Sequence, residues 1–510
     1  MRAMKSSAAP NTSSADRVSS LSQRIFWGIG QLLVLLAFAA LLIAAGRALL
    51  LFADHARAAI EFPYTANYGE GPLLDQTLRL LRGEPLYSAD LSRTPYTVTN
   101  YPPLFLLVQA PFAAAFGPDF WYGRAISTAA TLVAALMLAL LTRALTRDSI
   151  AGAAAGLSLL AMPYILHWSA LARIDALALA LSLAGLWVIA QAPRRWRNVF
   201  AAVLLITGAS YTRQTYALAA PLAAFVWLLG KREIYRALIF AVSLAALVLA
   251  VFIAALVFTR GGFFVHLITA NANGLDLSLI QFYIDEITRN LPLMLIGAAL
   301  SLAAGAVWGR PGWWLTAPYT LGAVATALTI AKIGSDVNYL WELSAALCLL
   351  AGVLIALMRR LPLIRAALLV TLAAQIVIAY DLSVSKYAPI LADRVAKTDQ
   401  FAAVAAFIAS SEEPVVLADE FMGELVMSGR RVQFQPFEFS QLNRDGMWDQ
   451  SAFLAALDRG DYPLVILYQP FRNPSLRFER WTGEMLRILN ERFRPFTQIG
   501  ETTLYQHVGP

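Results

Sequence analysis

Ionisable side chains are scarce in this 510-residue chain, and several of them stand at the ends of long apolar runs. Arg173 and Asp175 close the stretch HWSALARID (167–175), and Arg213 lies in SYTRQT (210–215). Lys332, Asp336, Asn338, Tyr339 and Glu342 share KIGSDVNYLWE (332–342). Charge at the depth of a membrane is costly, so such residues mark function by default. Each has a plainer explanation, as a helix-end pair or as a stem reaching for headgroups. Taken together on one face, they favour a site. A separate acid, Glu70, stands between Gly69 and Gly71 and five residues before Asp75. Flanking glycines suit a turn that substrate can approach, although Pro72 also fits an ordinary helix start beginning at an acid. A positioned carboxylate can take a proton from a hydroxyl. Arginine or lysine suits a phosphate, arginine in two parallel hydrogen bonds. Asp285-Glu286 is the rival acidic pair, ranked second because helix capping explains it as well.

Composition sets the medium. The chain is 58% apolar and 14% charged, with a mean hydropathy of +0.59. Water-soluble domains run near 45–50% and about 25%. Cys348 is the single cysteine, so no internal disulfide or thiolate zinc site can form. The histidines at 55, 167, 266 and 507 make no metal-binding spacing, and no Asp-x-Asp metal motif stands out. No metal or other cofactor is expected.

The net charge of +7 is divided unevenly. Residues 1–380 hold 27 Lys/Arg and 16 Asp/Glu, whereas 381–510 hold 13 and 17. That split argues against nucleic acid as a partner and for a membrane-embedded body followed by a soluble domain. A Ser-rich leader, residues 1–24, reads as disordered and cytoplasmic. Windows of roughly 20 apolar residues mark about eleven spans, near 26–52, 121–142, 149–166, 174–190, 198–212, 215–230, 237–258, 291–308, 314–331, 339–358 and 364–380. The first is too long for a signal peptide and is read as retained.

Arg143/Arg147, Arg194/Arg195/Arg197, Lys231/Arg232/Arg236, Arg310 and Arg359/Arg360/Arg365 all fall on one side. The positive-inside rule makes that side cytoplasmic, together with the N-terminus. Segment 53–120, the loops bearing Arg173, Arg213 and Lys332, and the 381–510 tail then lie outside. Within 53–120 the spacing of Leu73, Leu74, Leu78, Leu80 and Leu81 predicts a helix along the membrane surface. The 14 or so apolar residues after Tyr101-Pro102-Pro103 are short for a span and predict an interfacial or re-entrant helix. In the tail, 401–408 and 453–457 read as helices, 414–418 and 462–468 as strands, and 502–508 as an edge strand. A small three-layer α/β domain follows. Asp419-Glu420 ends a strand and reads first as a pair of surface acids, second as a ligand site.

Several motifs now align in order. They are Asn67-Tyr68-Gly69-Glu70-Gly71 with Asp75, Asn100-Tyr101-Pro102-Pro103-Leu104, Gly123-Arg124, Ala172-Arg173-Ile174-Asp175, Thr212-Arg213-Gln214-Thr215 and Gly334-Ser335-Asp336-Val337-Asn338-Tyr339. In these the chain resembles the polyprenyl-phosphate-sugar-dependent glycosyltransferases of the GT-C class. That group holds the protein O-mannosyltransferases and lipid A aminoarabinose transferases; the similarity is greatest to its bacterial family 39-like members. The resemblance implies a GT-C-like polytopic helical membrane protein with a C-terminal extracytoplasmic α/β domain. It also implies a lipid-linked sugar donor and an acid of the first outer loop at the reaction centre, often in an Asp-Glu pair. Gly69-Glu70 stands where that pair is expected, so Glu70 would be the catalytic carboxylate. Tyr101 replaces a lysine or histidine of relatives, which weakens any phosphate contact there.

The expected activity is transfer of a hexosyl or pentosyl group from a polyprenyl-phosphate donor to an acceptor hydroxyl of a lipid, glycan or protein. It would take place, with inversion, at the outer face of the inner membrane. Glu70 is the expected base. Asp75, Asn100, Tyr101, Arg173, Asp175, Arg213, Lys332, Asp336, Asn338 and Tyr339 are the expected substrate-binding residues. An O-antigen-type ligase or polymerase is the alternative, although those concentrate function in one large late loop. A secondary transporter is the weaker one, since no internal repeat is evident.

Overall fold

The computed structural model describes residues 14–310, 312–470 and 480–509. Of the expected leader, residues 1–13 lie outside that range. From Ser14 the chain is already helical, because nothing breaks the run into the first span; α1 extends over Ser14–Glu61. Two shorter helices, α2 (Glu70–Leu81) and α3 (Leu104–Phe116), then precede α4 (Trp121–Thr146). The bundle continues through α5 (Ser149–Leu160), α6 (Pro163–Ser169), α7 (Asp175–Gln191), α8 (Trp196–Thr212), α9 (Ala219–Gly230) and α10 (Ile234–Phe258). A single turn, α11 (Gly262–Phe264), leads to α12 (Leu277–Asn290), α13 (Pro292–Val307), α14 (Trp313–Leu328), α15 (Trp341–Leu357) and α16 (Pro362–Leu382).

Ten of the eleven expected spans fall on one helix each, and 149–166 falls across two. Among the described residues, six helices are long and apolar enough to cross a membrane by themselves, and up to eight if each bent pair counts as one span. The pairs are α5–α6, bent by 59°, and α12–α13, bent by 91°. Pro163 and Pro292 open the second helix of each pair, where a missing N–H costs nothing. Helices α7, α8 and α9 have only 17, 17 and 12 residues, shorter than the roughly 20 that a full crossing needs.

Helix α2 is amphipathic as expected, but it is covered rather than laid on a membrane surface. Leu73 packs with Phe105 and Ile174, and Leu74 with Phe120, Met422 and Val426 of the tail. A Cβ on Gly71 would stand 2.6 Å from the Gly423 nitrogen, so glycine lets α2 meet the tail backbone to backbone.

The boundary expected at 380/381 carries no break. Helix α16 runs through a π-helical turn (Ser383–Tyr387) into α17 (Ala388–Ala396), and α18 (Thr398–Ser410) follows. Beyond it come β1 (Val416–Ala418), α19 (Met422–Met427), α20 (Pro436–Arg444), α21 (Ser451–Arg459), β2 (Leu464–Tyr468), α22 (Gly483–Arg492), β3 (Phe493–Ile499) and β4 (Thr502–His507). The sheet order is β1-β2-β4-β3, with β1 and β2 parallel and the others antiparallel. Strand β4 is therefore interior and not the expected edge. The half-exposed β3 hairpins onto its free side through Gly500, whose φ is +57°.

Several bonds fix this domain to residues 53–120, two sets of them buried. Tyr96 bridges to Phe434 in strand fashion, with Tyr96 N donating to Gln433 O at 2.8 Å and Gln435 N to Tyr96 O at 3.0 Å. Glu424 accepts from the Thr65 backbone N–H at 2.7 Å and from its hydroxyl at 2.8 Å.

Candidate active site

At the end of the bundle opposite the cytoplasm-type arginines, helix termini and loops surround a cavity of about 640 Å³. Its wall is drawn from the turn before α2, residues 98–101, the turn before α7, the end of α8, the loops at 271–276 and 332–339, and α20 of the tail.

Arg213 sits just past the last turn of α8 and is nearly inaccessible. It pairs with Asp175, the first residue of α7, and stands 4.3 Å from the Tyr339 ring centre. Asn338 clamps this pair from behind: its Nδ2 donates to Asp175 Oδ1 at 3.1 Å, and its carbonyl accepts from Arg213 Nη1 at 3.2 Å. Arg173 donates to the Tyr101 hydroxyl at 3.1 Å and lies 4.8 Å over Trp168. Its guanidinium occupies the space that a side chain at Gly69 would need. Lys332 donates to Asn271 Oδ1. The Asn100 carbonyl accepts from Gln214 and Asn271, both at 3.1 Å.

Buried polar atoms are nearly always hydrogen-bonded. On this one wall Asn100 Oδ1, Arg173 Nε, Gln214 Oε1 and Thr215 Oγ1 have no hydrogen-bond partner among the described residues. Such a cluster of unspent donors and acceptors around a cationic cavity is fitted to a polar, anionic ligand. Among the described residues, no group of three or more His, Cys, Asp or Glu side chains converges as a metal site.

Seven of the expected site residues stand on the wall: Asn100, Tyr101, Arg173, Arg213, Lys332, Asp336 and Tyr339. Asp175 and Asn338 lie directly behind, holding Arg213. Asp75 is elsewhere: it faces Arg79 on α2 at 3.9 Å, and burial raises its carboxyl to about 6.

Glu70 also departs from expectation. It opens α2 with its side chain wholly inaccessible, two-point bonded to Arg124 at 2.7 and 2.9 Å. Backbone N–H groups of Ala66 and Ala172 donate to it at 2.9 and 2.8 Å. Burial alone would raise its pKa, but Arg124 and these donors outweigh that and hold the carboxyl below its usual value. A carboxylate so enclosed is not placed to reach an acceptor hydroxyl. Arg124 itself donates further to the carbonyls of Ala59, Phe62 and Tyr64. The pair thus knots α1, α2, α4 and the segment bearing Arg173.

Asp285 and Glu286 are mid-helix on α12, Glu286 bonding Lys386 and Tyr387. Asp419 and Glu420 are buried instead of on the surface, because Arg480 and Arg394 neutralise them. Two groups of lining residues were missed from the sequence: Gln214, Thr215, Asn271 and Asp276 on the bundle side, and Tyr68, Phe437, Glu438, Arg444 and Arg480 from the tail and the loop it meets.

Comparison with known proteins agrees with this architecture. Residues 100–258 match the family model described as dolichyl-phosphate-mannose-protein mannosyltransferase. ArnT from Cupriavidus metallidurans in the apo state superposes with a TM-score of 0.60 at 14% identity, covering 92% of this chain and 98% of ArnT. The fold is that of ArnT. ArnT bound to undecaprenyl phosphate gives a TM-score of 0.56 at 15% identity, over 92% of this chain and 99% of that one. The Archaeoglobus fulgidus oligosaccharyltransferase in complex with Zn and sulfate gives 0.54 at 12%, over 92% and 73%. No curated protein sequence matches the chain.

Proposed function

We propose that this GT-C chain moves a sugar from a polyprenyl-phosphate donor to an acceptor hydroxyl on the extracytoplasmic face of the inner membrane. The acceptor class is a lipid, a glycan or a protein. The observation that carries the reading is the cavity itself: cationic, edged by unpartnered polar atoms, and seated where the bundle opens away from its arginine-rich end. ArnT, similar in fold over nearly all of both chains, has been captured with undecaprenyl phosphate.

Arg173 and Lys332 are the proposed contacts of the donor phosphate. Arg213, already paired with Asp175, shapes the floor and adds positive potential. As the bond from the anomeric carbon to phosphate breaks, the leaving oxygen gains charge, and fixed cations in a sheltered cavity stabilise it. The acceptor oxygen attacks from the opposite side, which inverts the anomeric carbon, and a wall carboxylate takes its proton. Glu70 acts at one remove: it fixes Arg124 and the backbone at Ala172, and so the stem of Arg173. An O-antigen-type ligase would share the donor, but the wall here is assembled from the first outer segment and several short loops, which favours the transferase.

Transfer from radiolabelled undecaprenyl-phosphate-linked pentoses and hexoses by the purified, reconstituted protein tests this reading. Release of undecaprenyl phosphate with labelled product supports it. Uptake of label into sealed vesicles without transfer would favour a transporter.

A further inference from the structure

We propose that Glu438, carried by the C-terminal domain, is the general base of the transfer, taking the acceptor's proton in the position the sequence assigns to Glu70. The inference rests on the glycosyl-transfer reading above and deepens it.

Three described acids reach the cavity wall: Asp276, Asp336 and Glu438. Asp276 is spent capping α12, accepting from the Ser278 N–H at 2.9 Å and its hydroxyl at 2.6 Å. Asp336 accepts the Val337 N–H at 2.6 Å and so starts the turn that carries Asn338 and Tyr339. Glu438 has a different setting. Its Oε2 accepts from the Tyr68 hydroxyl at 2.8 Å, and the Phe437 N–H donates to that same hydroxyl at 3.2 Å. Tyr68 is the residue next to Gly69, where the Arg173 guanidinium leaves no room for a side chain. The glycine that admits Arg173 thus leaves no acid at position 69, Glu70 beside it is turned inward onto Arg124, and the neighbouring tyrosine anchors an acid arriving from 370 residues away.

That arrival is rigid. The backbone bonds of Tyr96 to Gln433 and Gln435, and a bond from the Val98 N–H to Gln435 Oε1, 2.7 Å, fix the start of α20 to residues 96–98. Arg480 completes the wall, 4.5 Å from the Tyr68 ring centre and bonded to Glu420 at 2.7 Å. Facing Glu438 are therefore Tyr68, Arg173 and Arg480, with Arg444 on its own helix and Asp336 across the cavity. Burial lifts the Glu438 carboxyl above its usual range, opposed by the Tyr68 bond, Arg480 and Arg173. A base works best with its titration near the operating pH.

The step balances. The acceptor O–H gives its proton to Glu438, its oxygen bonds the anomeric carbon, and the carbon–oxygen bond to phosphate breaks. The electron pair leaves on polyprenyl phosphate, held by Arg173 and Lys332.

The test uses the full-length protein reconstituted in lipid, undecaprenyl phosphate for binding and the labelled donors above for turnover. Glu438→Gln should bind undecaprenyl phosphate as the parent does while turnover falls roughly 10²–10⁴-fold. Formate should restore turnover to Glu438→Ala. Tyr68→Phe should move the acid limb of kcat/KM to higher pH, because the carboxylate loses a hydrogen bond. Near-parental turnover in Glu438→Gln, or loss and formate rescue in Asp336→Asn instead, would overturn the assignment while leaving the transferase reading intact. A parent protein inert with every donor would overturn both.

Discussion

The Glu70–Arg124 pair gives the sharpest separation between holding a site together and performing its chemistry. Both side chains are wholly inaccessible and joined at 2.7 and 2.9 Å. Removing one partner of a buried pair costs about 3–5 kcal/mol, since the other charge is left uncompensated. In Glu70→Gln the amide oxygen still accepts from one neighbour, and three carbonyls still surround the Arg124 guanidinium. The low end applies, about 3 kcal/mol, or roughly a 150-fold fall in the folding equilibrium constant. Urea or SDS unfolding followed by tryptophan fluorescence reads that loss directly. Turnover per folded molecule should stay within about tenfold of the parent, well short of the 10²–10⁴ that a lost base costs. Adding Arg124→Met should recover part of the stability, because it removes the stranded charge. A Glu70→Gln protein as stable as the parent but with turnover down a hundredfold or more would refute this reasoning and make Glu70 the base.

Arg173→Ala and Lys332→Ala should each weaken undecaprenyl phosphate binding about 10–100-fold, the value of a charge-assisted bond of roughly 1.5–3 kcal/mol, measurable by titration in nanodiscs. Gly69→Asp should displace the Arg173 guanidinium and lower donor affinity without unfolding the protein, checked by the same titration beside a melting curve. Glu424 is held by burial at about 7, above its ordinary 4.5. Its folded state binds the extra proton, so this residue's contribution to stability declines as pH rises from 4.5 through 7. Glu424→Gln should flatten that decline in unfolding curves across the same range. Cysteines placed at exposed Gln498 and Arg359, with buried Cys348 replaced by Ala, should label from opposite sides of intact spheroplasts, Gln498→Cys from outside.

The bundle was legible because apolar length reports the medium, and the marked runs became helices, 149–166 as a bent pair. The α2 and α3 segments were legible from periodicity and length. What periodicity cannot carry is the identity of a distant partner. Arg124 stood in the sequence only as part of the Gly123-Arg124 motif, and Glu70 read as the base of the reaction; only the fold brings them together across 54 positions. Glu438 sits in PFEFSQLNR, a stretch with no sequence mark of chemistry, and gains its setting from Tyr68 far upstream. Asp419 and Glu420 read as surface acids because their neutralising arginines, Arg394 and Arg480, come from separate elements. Strand β4 read as an edge because its apolar pattern does not reveal that β3 covers its second side.

The most direct test of the central claim is the fate of label in a donor carrying a radioactive sugar on undecaprenyl phosphate, presented to the reconstituted protein with extracted envelope acceptors. The account predicts stoichiometric appearance of free undecaprenyl phosphate and a labelled product of inverted anomeric configuration, both abolished together by Arg173→Ala. Intact donor after prolonged incubation, with no labelled product from any acceptor fraction, would contradict it.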